Sequence, residues 1–288
     1  MPDARPIGVF DSGVGGLTVL REIVRRSPAE STIYLGDNAR APYGVRSDEE
    51  VLAFSSQALD ALAERDVKAI VVACNTSTAV GIDALRRRYD LPILGVIRPG
   101  ASAAALASRN RRVGVIATPA TIRSHAYFNA IKDENPAIEV YEHATPALVP
   151  LVEAGQLSGA AAATAVAEAL APLLGERDAA GDFIFPKPPG AAVDTLLLGC
   201  THYPLLHAVI AAHVGEGVAI VDSATATASA LVELLSINGL DAPGSVRNPG
   251  VHLQLTTGDP ERFHALASRL FGSAFPDVEQ VELGVPAR

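Results

Sequence analysis

Cys74 and Cys200 stand far apart in a chain of 288 residues, and each closes a short apolar run. The first reads Val71-Val-Ala-Cys-Asn-Thr, the second Leu197-Leu-Gly-Cys-Thr-His. Two cysteines are too few for a disulfide framework, and a reducing cytosol would not maintain a structural bridge. A structural zinc site wants about four Cys/His ligands in paired spacings, and there is no second pair. The cysteines are therefore buried spectators, a common fate of free thiols, or reactive groups. Thr76 and Ser77 are N-cap types and Pro204 suits a first helical turn, so both cysteines are predicted to precede helices. A thiol at a helix N-terminus sits in positive potential, which favours thiolate and lowers a reference pKa of about 8.5. His202, two residues beyond Cys200, can take or return a thiol proton. Two thiols in one setting, both followed by hydroxyl or amide side chains, point to cofactor-free acid–base chemistry at one carbon, with the substrate between them.

Other polar residues gather where apolar runs end: Asp11-Ser12 and Asp37-Asn38. Ligands of open α/β sheets sit beyond such strand ends. A carboxylate beside one thiol and an imidazole beside the other would set which sulfur holds the proton. Asp11 could equally be a helix N-cap, and His202 a satisfied core histidine. The run Asp11-Ser-Gly-Val-Gly-Gly-Leu imitates a dinucleotide loop, but the fingerprint needs glycine at position 18, which is Thr18, and no G-K-[ST] follows. Its glycines could let backbone approach a small anion. Pro42-Tyr43-Gly44 is either an ordinary turn or a lid whose N–H groups hold a carboxylate. Composition alone gives no reason to single out Glu153.

The elements that must position these residues are legible as continuous apolar runs, the pattern of parallel strands buried on both faces. They are Ile7–Phe10, Thr32–Leu35, Ala69–Ala73, Ile93–Ile97, Val113–Ala117, Thr195–Leu198 and Val218–Val221. Helical patterns separate them: an apolar stripe from Leu17 to Val24, a capping box at Ser47–Glu50, and a start at Thr118-Pro119. Alternating strand and helix predicts an α/β fold with mainly parallel sheets. An internal echo supports two similar α/β domains meeting at a cleft. Each has an opening strand and a later strand that ends in cysteine. Gly175–Ala192 reads as a surface loop, and residues from about 272 onward as a loosely held tail.

Composition excludes some functions. The formal charge is −9, from 23 basic and 32 acidic residues, which disfavours direct nucleic-acid binding. The N-terminus lacks a signal-peptide pattern. The apolar stretch Ala160–Leu174 is too short and too polar to span a membrane. These readings place the chain in the cytosol.

Taken together, Asp11-Ser12-Gly13-x-Gly15-Gly16-Leu17, Gly36-Asp37, Pro42-Tyr43-Gly44, Ala73-Cys74-Asn75-Thr76, Leu151-Val-Glu153 and Gly199-Cys200-Thr201-His202-Tyr203-Pro204 resemble the glutamate racemases of the aspartate/glutamate racemase superfamily. The match runs in order from residue 7 to about 224. The resemblance implies two pseudo-symmetric Rossmann-like domains with the site in the cleft between them, a discontinuous first domain at 1–98 plus 210–288 and a second at 99–209. The resemblance implies interconversion of L- and D-glutamate without pyridoxal phosphate or metal, for peptidoglycan synthesis and cell shape. It implies that Cys74 and Cys200 are paired base and acid, Asp11 assisting Cys74, and His202, steadied by Glu153, assisting Cys200. Asp11, Ser12, Tyr43, Gly44, Asn75, Thr76, Thr118, Thr121, Thr201 and His202 would line the substrate site. It also implies a homodimer and, as in some members, a second role as an inhibitor of DNA gyrase. The rival within the superfamily is an aspartate or hydantoin racemase. Aspartate racemases typically carry Glu after Cys-Thr, where this chain has His202.

Overall fold

A computed structural model describes residues 2–174, 176–177, 183–184, 193–243, 249–272 and 278–284. The chain divides into two compact units, Met1–Val96 with Ala224–Arg288, and Ile97–Ser223. In chain order the first unit opens with β1 (Ile7–Asp11), α1 (Leu17–Arg26), β2 (Thr32–Gly36), α2 (Asp48–Ala63), β3 (Ala69–Val72), α3 (Asn75–Arg88) and β4 (Ile93–Gly95). The second comprises α4 (Ile97–Ala107), β5 (Arg112–Ala117), α5 (Pro119–Arg123), α6 (Ala126–Glu134), β6 (Glu139–Ala144), α7 (Leu148–Glu153), α8 (Gly159–Leu174), β7 (Glu176–Arg177), β8 (Phe183–Ile184), β9 (Thr195–Gly199), α9 (His207–Val214) and β10 (Ala219–Asp222). The chain then adds α10 (Ser223–Asn238), β11 (His252–Thr256), α11 (Pro260–Phe271) and β12 (Val278–Gln280), which belong with the first unit from Ala224 onward.

Each unit is built on a parallel sheet, of order β12-β11-β2-β1-β3-β4 in the first and β10-β9-β5-β6 in the second. Numbered from their own first strands, β2-β1-β3-β4 and β6-β5-β9-β10 have the same order. The predicted pseudo-symmetry is thus a shared topology, extended in the first unit by β11 and β12. The strands are apolar and fully enclosed where the sheet is central: Ile7, Val9, Phe10, Val71, Val72, Val115, Ile116, Leu197 and Leu198 are all completely buried. Helix starts follow their local chemistry. Ser47 forms a reciprocal capping box with Glu50 on α2, and Thr118 caps α5 with Pro119 in the first turn.

Three expectations are revised. Ile210–Ser223 stays with the second unit, because β10 pairs with β9 along Ala219–Asp222. The tail is not wholly loose, since Val278–Gln280 adds an edge strand to β11. Ile97 opens α4 rather than ending β4. Within Gly175–Ala192 the described residues form the antiparallel pair β7–β8; the rest of that segment lies outside the described residues. Among the described residues no helix is long and apolar enough to cross a membrane.

Candidate active site

In the first unit the chain runs from β1 to β2 on one side and then to β3 on the other, so β1 and β3 flank the switch point of the sheet. Open α/β sheets bind ligands there, beyond the strand carboxyl ends. Asp11 ends β1, and Cys74 follows β3. The Ala73 and Cys74 amides both donate to Phe10 O, at 2.8 and 3.3 Å, which sets the two strand ends side by side. Asp11 is fully buried and its Oδ2 accepts the Gly13 N–H at 3.1 Å. Gly16 is required here by space. A Cβ would stand 2.4 Å from Asp11 Cβ and 2.9 Å from Tyr34 Oη. Tyr34 donates to Gly13 O at 2.6 Å and so holds the turn from beneath. The glycines therefore seat Asp11 and Tyr34.

Cys74 itself is the N-cap of α3, with Sγ accepting the Ser77 N–H at 3.4 Å and donating to Ser12 Oγ at 3.6 Å. Its thiol pKa is not lowered. Burial first, then the Asp11 charge, push it up to about 11, against the pull of Ser77 and Ser12. The helix N-terminus is present as expected, but desolvation of a thiolate outweighs it. Asn75 and Thr76 are buried in the same first turn. Tyr43 and Gly44 follow a cis Ala41–Pro42 peptide in a 3-10 turn. The Tyr43 hydroxyl donates to Asp37, which also takes Arg40 Nε at 2.6 Å and Thr257 Oγ1 at 2.7 Å. Tyr43 thus serves as an anchor, its hydroxyl engaged away from solvent.

The second unit repeats the device. From β5 the chain passes to β6 and then across to β9, so the switch point lies between β5 and β9. Thr118 follows β5, and Cys200 follows β9. Gly199 has no room for a side chain: a Cβ would meet the Tyr127 ring at 2.9 Å and Ala117 Cβ at 3.0 Å. Cys200 Sγ lies 3.8 Å from His202 Nδ1, and His202 Nε2 lies 3.2 Å from Glu153 Oε1 at the end of α7. His202 is buried, whereas the Glu153 side chain is 41% exposed. Thr118 Oγ1 stands 3.0 Å from Thr121 Oγ1, and Thr201 is buried beside Cys200. The turn after Cys200 is a 3-10 helix, Tyr203–Leu206, leading into α9.

The structure thus brings Asp11, Ser12, Asn75 and Thr76 to Cys74, and His202 with Glu153 to Cys200. Each thiol is also backed by phenols, of which sequence reasoning singled out only Tyr43. Tyr34, Tyr43, Tyr127 and Tyr203 are the largest fully buried side chains. Burial first, and then lesser pushes that include the charge of Cys74 on the first two and of Cys200 on the second two, raise the pKa values of these phenols. Tyr203 donates to Thr145 O at 3.0 Å and accepts from Thr145 Oγ1 at 2.8 Å. Thr145 was invisible because β6, which it follows, was not recognised. Among the described residues no cluster of three or more His, Cys, Asp or Glu could hold a metal ion.

Two like-ordered parallel sheets, each with a buried cysteine at its switch point, define a class of two-unit α/β proteins. The Asp/Glu/Hydantoin racemase family model matches residues 7–181, and the chain belongs to that family. It is 45% identical over 279 residues to the glutamate racemase of Geobacter metallireducens, covering 97% of both chains. Among solved structures it is similar to a glutamate racemase isoform of Bacillus anthracis, with 40% identity, a TM-score of 0.88, and 98% and 99% of the two chains covered. It is also similar to the glutamate racemase of Francisella tularensis in complex with D-glutamate, with 34% identity, a TM-score of 0.84 and 98% of both chains covered.

Proposed function

We propose that this chain is a glutamate racemase, an isomerase that interconverts L- and D-glutamate by proton transfer at Cα and supplies D-glutamate for peptidoglycan. One observation carries the reading: a buried cysteine with its own proton-handling neighbours recurs at both switch points. The full-length glutamate racemase relatives support the substrate assignment.

Inversion at a stereocentre needs a proton removed from one face and another delivered to the opposite face. In this reading one thiolate removes the Cα proton and becomes a thiol. The carbanion takes a proton from the other thiol, which is left as thiolate. The step balances in atoms and charge, and no electrons are transferred. Solvent exchange through Asp11 or through His202 returns the protons to their starting sulfurs. With its thiol pKa near 11, Cys74 rests as the proton donor. Asp11 assists Cys74, and His202, oriented by Glu153, assists Cys200. The helix-start amides and the side chains of Ser12, Asn75, Thr76, Thr118, Thr121 and Thr201 hold the substrate's charged groups, with Gly44 contributing main chain. Fixed dipoles of this kind stabilise charge that develops in a transition state.

The test uses pure protein and either glutamate enantiomer in heavy water, with no additive. Optical rotation should decay to zero from both sides, with deuterium entering at Cα. Racemisation that appears only after pyridoxal phosphate is added sinks the mechanism. Faster turnover of L-aspartate than of L-glutamate sinks the substrate assignment.

A further inference from the structure

Ser77 holds a hydroxyl that forms no hydrogen bond of normal geometry in the resting structure. It is fully buried, in the first turn of α3, and its Oγ has no hydrogen-bond partner. Buried polar groups are normally satisfied, and a helical serine usually satisfies itself by donating to the carbonyl four residues back. This protein follows that habit elsewhere. Ser55 donates to Val51 O at 2.7 Å, Ser56 to Leu52 O at 2.9 Å, and Ser229 to Thr225 O at 3.0 Å. Ser77, third in α3, has only the non-helical Ala73 four residues back and makes no such bond, while its own N–H points at Cys74 Sγ from 3.4 Å.

We infer that Ser77 is the hydroxyl that stabilises the Cys74 thiolate: idle while the sulfur is protonated, it donates to Sγ when the sulfur ionises. The thiol is a weak acceptor, whereas a thiolate is a strong one, so the bond forms when the charge does. Ser77 is close enough to act: its hydroxyl lies within hydrogen-bond reach of Cys74 and pulls that thiol's pKa down against burial and the Asp11 charge, without meeting the geometry of a formed bond in the resting state. Ser12 is differently placed. It accepts from the thiol in the resting state and is only half-buried, so water can replace it. Ser77 is sealed in, and a hydroxyl kept unpaired inside a core lowers stability. The proposal rests on the reading that Cys74 ionises during turnover, and it adds a residue that touches a reacting atom.

The experiment follows alkylation of Cys74 by iodoacetamide as a function of pH in the Cys200→Ser protein, which retains one cysteine, with and without Ser77→Ala. With Ser77 present, the rate should climb toward pH of about 11. Ser77→Ala should slow alkylation at pH 8 about ten-fold and move the profile up by about one pH unit. Its Tm should be equal or higher, because an unpaired buried hydroxyl is removed and alanine is the better helix former. An unchanged alkylation profile overturns the proposal, as does a lower Tm with an unchanged profile, which would mark Ser77 as structural. Alkylation needs no turnover, so failure here is distinguishable from failure of the glutamate reading.

Discussion

The Cys74 and Cys200 halves share a strand order and a cysteine at the switch point, yet they surround it with different groups. Cys74 caps a 14-residue helix and is surrounded by fixed groups: a buried carboxylate, two serines and backbone amides. Cys200 precedes a short 3-10 turn and faces an imidazole that leads through Glu153 to solvent. Burial and the Asp11 charge hold the first thiol in its protonated form. The second faces an imidazole and, behind it, a half-exposed carboxylate. A duplicated fold therefore supplies symmetric placement, while the neighbouring residues make the two thiols chemically distinct.

The severest way to break the comparison is to remove a sulfur. Cys74→Ser and Cys200→Ser should each lower racemisation at least about 10³-fold, because a serine hydroxyl is a far weaker acid and base here. Full activity in either variant would end the two-thiol reading. Next come the assistants. Asp11→Asn and His202→Asn should each reduce kcat by about 10²-fold, but with opposite signatures. The enantiomers have equal free energy in water, so kcat/KM must stay equal in both directions. The asymmetry therefore falls on the Cα-deuterium isotope effect. Asp11→Asn should raise it for the enantiomer whose proton Cys74 removes, and His202→Asn for the other. The same signature in both variants would refute the division of labour. Glu153→Gln should cost less, about ten-fold or below, since a half-exposed carboxylate is screened and acts only through His202.

Smaller effects test the supports. Tyr34→Phe leaves Gly13 O without its phenol, and Tyr203→Phe removes two bonds to Thr145. Each should reduce stability by about 1–2 kcal/mol, read as a Tm lowered by a few degrees in calorimetry. The smallest effect concerns acid stability of the second unit. Burial raises the Asp194 pKa, but bonds from Asn110 N, Ser108 Oγ, Arg109 N and Thr195 Oγ1 together hold it below the usual carboxylate range. A depressed native pKa means the stabilisation is present above the unfolded value, about 3.9, and is lost as pH falls through the native one. Asp194→Asn should therefore flatten the acid limb of a Tm-against-pH curve below about pH 4, and an unchanged limb would remove this clamp from the account.

Legibility in the sequence followed burial on two faces. Strands enclosed on both sides, such as β1, β3, β5 and β9, are unbroken apolar runs and were read correctly. β6 was missed because it is an edge strand carrying Glu139, Glu142 and His143. β11 was missed because it places Gln254 and Thr256 in the core between leucines. The site residues next to recognised strand ends were found. Tyr34 and Tyr203 were not singled out, because a tyrosine within a strand or early in a helix reads as ordinary core.

The sequence by itself determined the two cysteines, their strand-end settings and the polar residues beside them, because these are matters of spacing along a few adjacent residues. Tertiary structure decided the acidity of Cys74. A helix N-terminus is a local feature and lowers a thiol pKa, but burial and the charge of Asp11, 63 positions away in the chain, exist only once β1 and β3 lie side by side. Those long-range terms reverse the sign of the shift.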